Sequence, residues 1–513
     1  MEKILCILFL LSNFFLQAQE GFNKLYSIGS GGNHFGSILY VEDTLFTVGV
    51  SFSEAPHVQE LFFAKMDTLG GILSIKYYRD SLDRDLIFGT RPNGFLKLSD
   101  NSGFIFRGTI FQNNNGVVSK IDNDGNLIFR REIELQDAAG ISIRDILELP
   151  DGYLLFGNKV FADLHSGIFV TKINQEGHIV WETDFSSGSN RRLFYGSVCV
   201  KGENEYVIGG NTTSSSITPT QFIKNTGKIF AIDSLGNKKW EWESEQTTEQ
   251  AGVGTLHLTD EGDWIFNSVK GTYNSTFNAF DKEPSIVIRD TATFEILDER
   301  VVYTPIPGTI SYFSNLISLN DGAYLAIGTM LGHLPIEPNY DVNAQLGVMY
   351  KINYELDSIW SWRDTAAWNF LGGSRNYPLN AVELESGSIV VCGYHQDPET
   401  SATKGWLYKV DKNGCMDTLN CVLPVSIEEV PLPKPSISTY PNPATQIVNF
   451  VISDEAQFSG QSIFIHNLDG KIITKIPYST SPFWDVELVE SGIYFYSIRD
   501  NNGSHHSGKI IIK

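Results

Sequence analysis

The segment Ile121-Asp122-Asn123-Asp124-Gly125-Asn126 is the nearest this chain comes to a metal loop, with carboxylates at alternate positions and a glycine to turn the chain. It lacks the remaining oxygen ligands and the distal bidentate glutamate that such a calcium loop requires. A hairpin turn explains it equally well: the first carboxylate accepts backbone N–H groups ahead of it and the glycine takes the left-handed conformation. No metal site and no cofactor site is expected. The ten histidines are scattered, with neither an HExxH nor a GxSxG pattern, and His505-His506 reads as a solvated pair near the C-terminus. Sixty acidic residues offer many combinations for a catalytic carboxylate pair, but sequence does not give their separation in space. No catalytic residue is assigned. Cys415 and Cys421 are close enough for a local disulfide in an oxidising compartment, while Cys199 and Cys392 lie in apolar runs and read as buried free thiols.

The elements that would position any such chemistry are repeats. The turn that begins at Asp122 recurs at Asp67, Asn174, Asp233, Asp290, Asn353 and Asp411, at intervals of 52 to 63 residues. A period of about 50–60 residues suits a propeller blade better than a shorter solenoid unit. Each repeat carries two further strands upstream, one an apolar run that in most repeats ends in glycine, such as YLLFGN or IVVCGY. Four antiparallel strands per repeat make a blade, and near-continuous apolar runs fit inner strands packed on both faces. The fold expected is all-β: a seven-bladed propeller followed by a small C-terminal β-sandwich. Gly70, Gly125, Gly177, Gly236 and Gly414 hold the turn glycine, which the fifth and sixth repeats lack; Phe129, Trp181, Trp240 and Trp360 follow as plugs between outer strands. Closure has two candidates. The strand after Asn23 could complete the seventh blade, or the Cys415–Cys421 segment could.

In such a blade the first and third turns lie on one face, and the longer connections lie on the other. Long loops in compact domains tend to carry function. The loop residues Arg91, Arg192, Tyr195, Tyr273, Tyr340, Arg375 and Tyr377 form the candidate ligand face, suited to a glycan or protein ligand. Core-capping is the alternative role for such aromatics.

Net charge is −22, which disfavours nucleic acid and anionic membrane as partners. Residues 1–18 read as a signal peptide with Lys3, an apolar stretch and Ala18, too short to span a membrane, and no other run is long enough for a transmembrane segment. The propeller is expected over 19–423, and PVSIEEVPLPKPS at 424–436 reads as a proline-rich linker.

The remaining residues, 437–513, carry Tyr440-Pro441-Asn442-Pro443, a turn at Asp469-Gly470-Lys471, the strand Ser491-Gly492-Ile493-Tyr494-Phe495 and a terminal strand ending in lysine. This tail resembles the C-terminal sorting domain of the type IX secretion route. The resemblance implies engagement of the type IX machinery, passage across the outer membrane, and removal of the tail at the cell surface. Asp followed by Ser or Thr and an aliphatic residue, as at Thr44, Thr68 and Ser234, resembles the O-glycosylation acceptor pattern of bacteria using that route; turn preference of Asp-Ser and Asp-Thr is the other explanation. The repeats resemble the Asp-box of sialidase propellers in having an Asp, Gly and Trp hairpin, at a longer spacing, and quinone-dependent dehydrogenase propellers in having a Gly-to-Trp hairpin, a motif that packs blades and does not itself bind cofactor. The function expected is a secreted, surface-attached binding or adhesion module; the alternatives are an extracellular polysaccharide hydrolase or lyase, or a structural repeat without ligand.

Overall fold

A computed structural model describes residues 21–52, 58–88, 94–163, 165–188, 191–214, 225–244, 252–274, 279–302, 311–331, 345–363, 375–397, 400–416, 437–452, 462–467, 471–477, 482–499 and 505–513. All regular structure among them is β, and contacts divide the chain into two units, Met1–Pro424 and Val425–Lys513. In chain order the first unit holds antiparallel sheets spanning 32–78, 86–133, 138–185, 191–243, 256–301, 312–363 and 375–410, each of four strands except the second, which has five, and the last two are halves of one eight-stranded sheet. The sixth and seventh touch through one parallel bridge, Gln345 to Arg375. The fourth strand of the seventh sheet is Phe22–Tyr26, paired antiparallel to Thr403–Val410. Closure therefore falls to the N-terminal strand and not to the cysteine segment.

Apolar runs bury both faces because each sheet lies between two others. In the second strand of the third sheet, Tyr153 and Leu155 join the core shared with the second sheet, whereas Leu154 and Phe156 join the core shared with the fourth. Period-two alternation thus sends successive side chains to opposite neighbours. The same sharing links every consecutive pair of sheets, and Phe35, Ile38 and Phe62 of the first pack with Val390, Cys392 and Leu407 of the seventh. The sheets therefore close on themselves in a propeller arrangement.

All seven repeated turns are held as the residue types require. Asp122 Oδ1 accepts from Asp124 N at 2.9 Å and Asn126 N at 2.7 Å; Asp233 and Asp411 accept in the same way. The turn glycines adopt φ between 78° and 84°, and where the fifth and sixth repeats lack glycine, Phe294 and Leu356 take φ of 60° and 58°. The aromatics Phe129, Trp181, Trp240 and Trp360 lie against the turn of the next sheet, not between outer strands as expected. A Cβ on Gly177 would sit 2.8 Å from the Phe129 ring, and one on Gly236 would sit 2.8 Å from Trp181. Trp360 donates from Nε1 to Lys412 O at 3.1 Å beneath Gly414, while Tyr78 Oη donates to Gly125 O and Tyr26 Oη to Gly70 O, both at 2.7 Å. Where the turn holds glycine, the missing side chain leaves room for the preceding sheet's ring; in the fifth turn Phe294 instead packs its own ring on Trp240 and Trp242. Lys24 Nζ to Leu69 O at 2.6 Å and Trp406 Nε1 to Asn23 Oδ1 at 2.7 Å fasten the closing strand further.

Near the axis a belt of short buried polar side chains ties the first strands together. Asn380 Nδ2 donates to Ser37 Oγ at 2.9 Å, Asn315 Nδ2 to Asn380 Oδ1 at 3.3 Å, and Thr255 Oγ1 to Asn315 Oδ1 at 2.9 Å. Ser197 Oγ continues the belt to Gly254 O, and Asp145 accepts from Val198 N and Tyr195 Oη. These groups follow a register shift in their strands, which turns one residue toward the neighbouring sheet.

The second unit is a sandwich of a three-stranded sheet, with Val448, Phe450 and Trp484 inward, on a four-stranded sheet presenting Ile463, Ile465, Tyr494, Tyr496, Ile498, Ile510 and Ile512.

Candidate ligand-binding site

Connections between second and third strands, and between sheets, emerge on one face of the ring, the loop face. Most described cations there are neutralised by the protein's own carboxylates. Arg84 bonds Asp80 at 3.0 Å and Glu132 at 2.9 Å; Lys159, itself buried, bonds Asp184 at 2.6 Å; Arg191 bonds Glu243; Lys270 bonds Glu299 at 3.2 Å. The Arg84 guanidinium holds the Asp80 carboxyl below its usual range. Burial raises Glu132 and Glu243, but the bonds from Arg84, Asn115 and Asn113 to the one, and from Arg191 and Thr226 to the other, outweigh it and leave both lowered. These acids are committed to ion pairs and stay ionised. None is poised as a proton donor near neutral pH.

The seam between the seventh and first sheets is different. Tyr377, on the first strand of the seventh sheet, stacks on Tyr394 of the second strand with centroids 4.6 Å apart and planes 16° apart. Tyr394 stacks on His34 of the first sheet at 4.2 Å, and His34 meets Phe52 edge-on at 5.2 Å. Cross-strand pairing sets this ladder, since Tyr377 is the register partner of Tyr394. Arg375, two residues before Tyr377 on the same strand face, lies close enough to oppose the rise that burial imposes on the Tyr377 hydroxyl. Tyr312, 37% exposed at the start of the sixth sheet, adds to the rise at both Tyr377 and Tyr394. Burial lowers His34 to about 4, so its imidazole is neutral at physiological pH, and its Nε2 has no hydrogen-bond partner among the described residues. Arg375 has no acidic partner among the described residues either. Beside the ladder, His395 Nδ1 shares a hydrogen with Asn376 Oδ1 at 2.7 Å.

Of the expected ligand face, Arg375 and Tyr377 come together here. Arg192 is exposed on the fourth sheet, elsewhere on the ring. Tyr195 is a correction: it is 3% exposed, packed in the core between third and fourth sheets, with its hydroxyl donating to buried Asp145 at 2.5 Å. Its position on the first strand, one residue before the register shift, turns it inward. Tyr273 lies on the strand Trp264–Asn274; Arg91 and Tyr340 lie outside the described residues. His34, Tyr394 and Tyr312 were missed. Tyr394 did carry a signal: the residue after the second-strand glycine is Val50, Thr109, Asn158 or Thr329 in other repeats, and a tyrosine only in the seventh.

Among the described residues no group of histidine, cysteine and acidic side chains could hold a metal. Cys415 is disulfide-bonded, and Cys421 lies outside the described residues. Cys199 and Cys392 are free thiols, Cys392 fully buried and Cys199 half-buried.

In the second unit, Asn442 closes a strand-like bridge with its side chain. Its Nδ2 donates to Lys509 O at 2.8 Å and its Oδ1 accepts from Ile511 N at 2.9 Å, while Ala444 N donates to Ile511 O at 2.9 Å. The two prolines flanking Asn442 have no N–H of their own to offer, and the amide side chain supplies the pairing that clasps the terminal strand. Tyr440 is 70% exposed; Tyr494 is buried edge-on against Trp484 and donates from Oη to Glu490 O at 2.9 Å. Gly492 opens the strand Gly492–Arg499, and Gly470 lies outside the described residues.

The first unit is thus an all-β propeller and the second a small β-sandwich. Residues 438–513 match the family described as "Secretion system C-terminal sorting domain", so the tail is the type IX sorting domain its motifs resemble. The chain is exported, either secreted or attached at the outer surface, and its sorting domain engages the type IX machinery. No helix among the described residues is long and apolar enough to cross a membrane. No curated protein sequence matches the chain. Among solved structures it is similar to the β-propeller domain of the Trilobed protease from Pyrococcus furiosus, at 10% identity and TM-score 0.40, covering 78% of this chain and 99% of that one. It is also similar to a polysaccharide lyase of family PL25, an ulvan lyase, at 9% identity and TM-score 0.46, covering 76% and 96%. A third is the GH93 α-L-arabinofuranosidase of Fusarium graminearum, at 11% identity and TM-score 0.40, covering 63% and 93%. The propeller arrangement itself rests on the sheet pairing and packing described above.

Proposed function

We propose that this protein is a secreted, surface-attached, seven-bladed propeller that acts as a binding or adhesion module through its loop face. In this reading the signal peptide at 1–18 directs inner-membrane export, the propeller spans 19–423, and the linker 424–436 separates it from the sorting domain at 437–513. The observation that carries the proposal is the seam: stacked rings beside a guanidinium with no described acidic partner, on a face whose other described cations are mostly neutralised. Aromatic faces with a free cation are recognition chemistry.

The alternative is an extracellular polysaccharide hydrolase or lyase. A hydrolase needs two carboxylates with different proton affinities about 5–10 Å apart. The ion-paired acids Asp80, Glu132 and Glu243 are all lowered, which weighs against that role for them. Screening the purified secreted protein on a glycan array, with parallel assays for reducing ends and for unsaturated products, separates the readings. Retention of glycans without turnover supports the module; product release makes it an enzyme; neither leaves a structural repeat.

A further inference from the structure

We propose that Arg375, Tyr377, Tyr394, His34 and Tyr312 form a subsite for a uronic-acid residue of an acidic polysaccharide, a proposal that rests on the binding reading above. The argument begins with charge. The chain carries 60 acidic and 38 basic residues, so a cation within reach of a carboxylate is the expected outcome. Arg84, Lys159, Arg191 and Lys270 meet it on the loop face, and Arg375 does not among the described residues. Among the described residues the group recorded beside Arg375 is the Tyr377 hydroxyl, which leaves the positive charge uncompensated. A half-buried guanidinium in that setting favours an anion from outside, and its planar fork suits a carboxylate taken by two parallel bonds.

The rest of the cluster selects a sugar. Tyr377, Tyr394 and His34 are locked in a stacked ladder, so their edges and hydroxyls are pre-organised. The Tyr377 and Tyr394 hydroxyls have raised pKa values and His34 is neutral, so each remains a hydrogen-bonding group for a ligand hydroxyl near neutral pH. Tyr312, more than a third exposed, supplies an accessible ring face for the C–H face of a pyranose. The net charge of −22 opposes a polyanion at long range, but salt screens that field within about 8–10 Å. Local contacts at Arg375 then decide.

The test uses the full secreted chain and a matched set of probes: a uronic-acid oligosaccharide, the same oligosaccharide with its carboxyls reduced to alcohols, and a sulfated neutral oligosaccharide of equal length. Titration calorimetry should show the uronate form binding at least about tenfold more tightly than the reduced form. Arg375→Gln should abolish that preference with an unchanged melting temperature. Tyr312→Ala, at an exposed position that tolerates truncation, should weaken the uronate and reduced forms alike by about tenfold. Equal binding of uronate and reduced forms, or an undiminished preference in Arg375→Gln, would overturn the subsite while leaving the binding module standing. Tighter binding of the sulfated probe would overturn its assignment to a carboxylate. If no glycan on the array binds the wild-type chain, the module reading falls and the subsite with it.

Discussion

Phe129 and Gly177 offer the sharpest test of how the ring is fastened. Phe129 is 8% exposed and lies under the turn of the third sheet, where Gly177 has φ of 84° and no room for a Cβ, which would meet Phe129 Cε2 at 2.8 Å and Arg131 Cγ at 2.6 Å. Phe129→Ala removes the ring and leaves a cavity between sheets, at a cost of about 3–5 kcal/mol. Gly177→Ala forces a left-handed alanine, about 1–2 kcal/mol, and overpacks the contact by about 1–3 kcal/mol more. In the double variant the Phe129 ring that would clash is gone, so its share of the overpacking vanishes, the Arg131 side chain can shift into the vacated space, and the methyl fills part of the cavity. The two costs should therefore fall short of additive by about 1–3 kcal/mol. Unfolding entropy of about 2.1 cal/mol/K per residue converts 1 kcal/mol to roughly 1 °C for a ring of about 400 residues. Phe129→Ala should then melt roughly 4–6 °C lower by circular dichroism, and the double variant only slightly below the more damaging single one. Additivity within about 0.5 kcal/mol would show that ring and glycine do not share one space, and the fastening device would be refuted.

Acid should loosen the seam. His34 titrates at about 4 in the fold and about 6.5 unfolded, so between those values only the unfolded chain binds the proton and stability falls as pH drops from about 6.5 to about 4. His34→Gln should flatten the melting-temperature slope across that window, with the remainder left to His257 and His395, which burial also lowers; an unaltered slope counts against the assignment. Non-reducing peptide maps should join Cys415 to Cys421, and alkylation of Cys415 without prior reduction would contradict it, since Cys415 is already bonded. Asn442→Ala should free two backbone groups of the terminal strand and raise hydrogen exchange at Ile511, whereas protection equal to wild type would deny the clasp. Mass spectrometry of the surface form should end within or near 424–436; peptides from 493–513 on that form would show that the tail stays.

Much of the fold was legible because it is written in local chemistry that repeats. An acidic or amide side chain followed by glycine specifies its hairpin without reference to the rest of the chain, and the unbroken apolar run in YLLFG implies burial on both faces whatever the neighbours are. The sorting domain was equally plain, because its motifs stand in order at the tail's own turns and strands. Tertiary structure decided what depends on contacts between repeats. His34 and Tyr394 meet across 360 residues only because the first sheet packs on the seventh, and Tyr195 and Arg192, three residues apart on one strand, go to core and solvent because a register shift and a neighbouring Asp145 favour one orientation. The plugs likewise pack on the next sheet's turn, a partner about 50 residues away that no local pattern names. A sequence records which groups each repeat can offer; closing the ring determines which of them face one another.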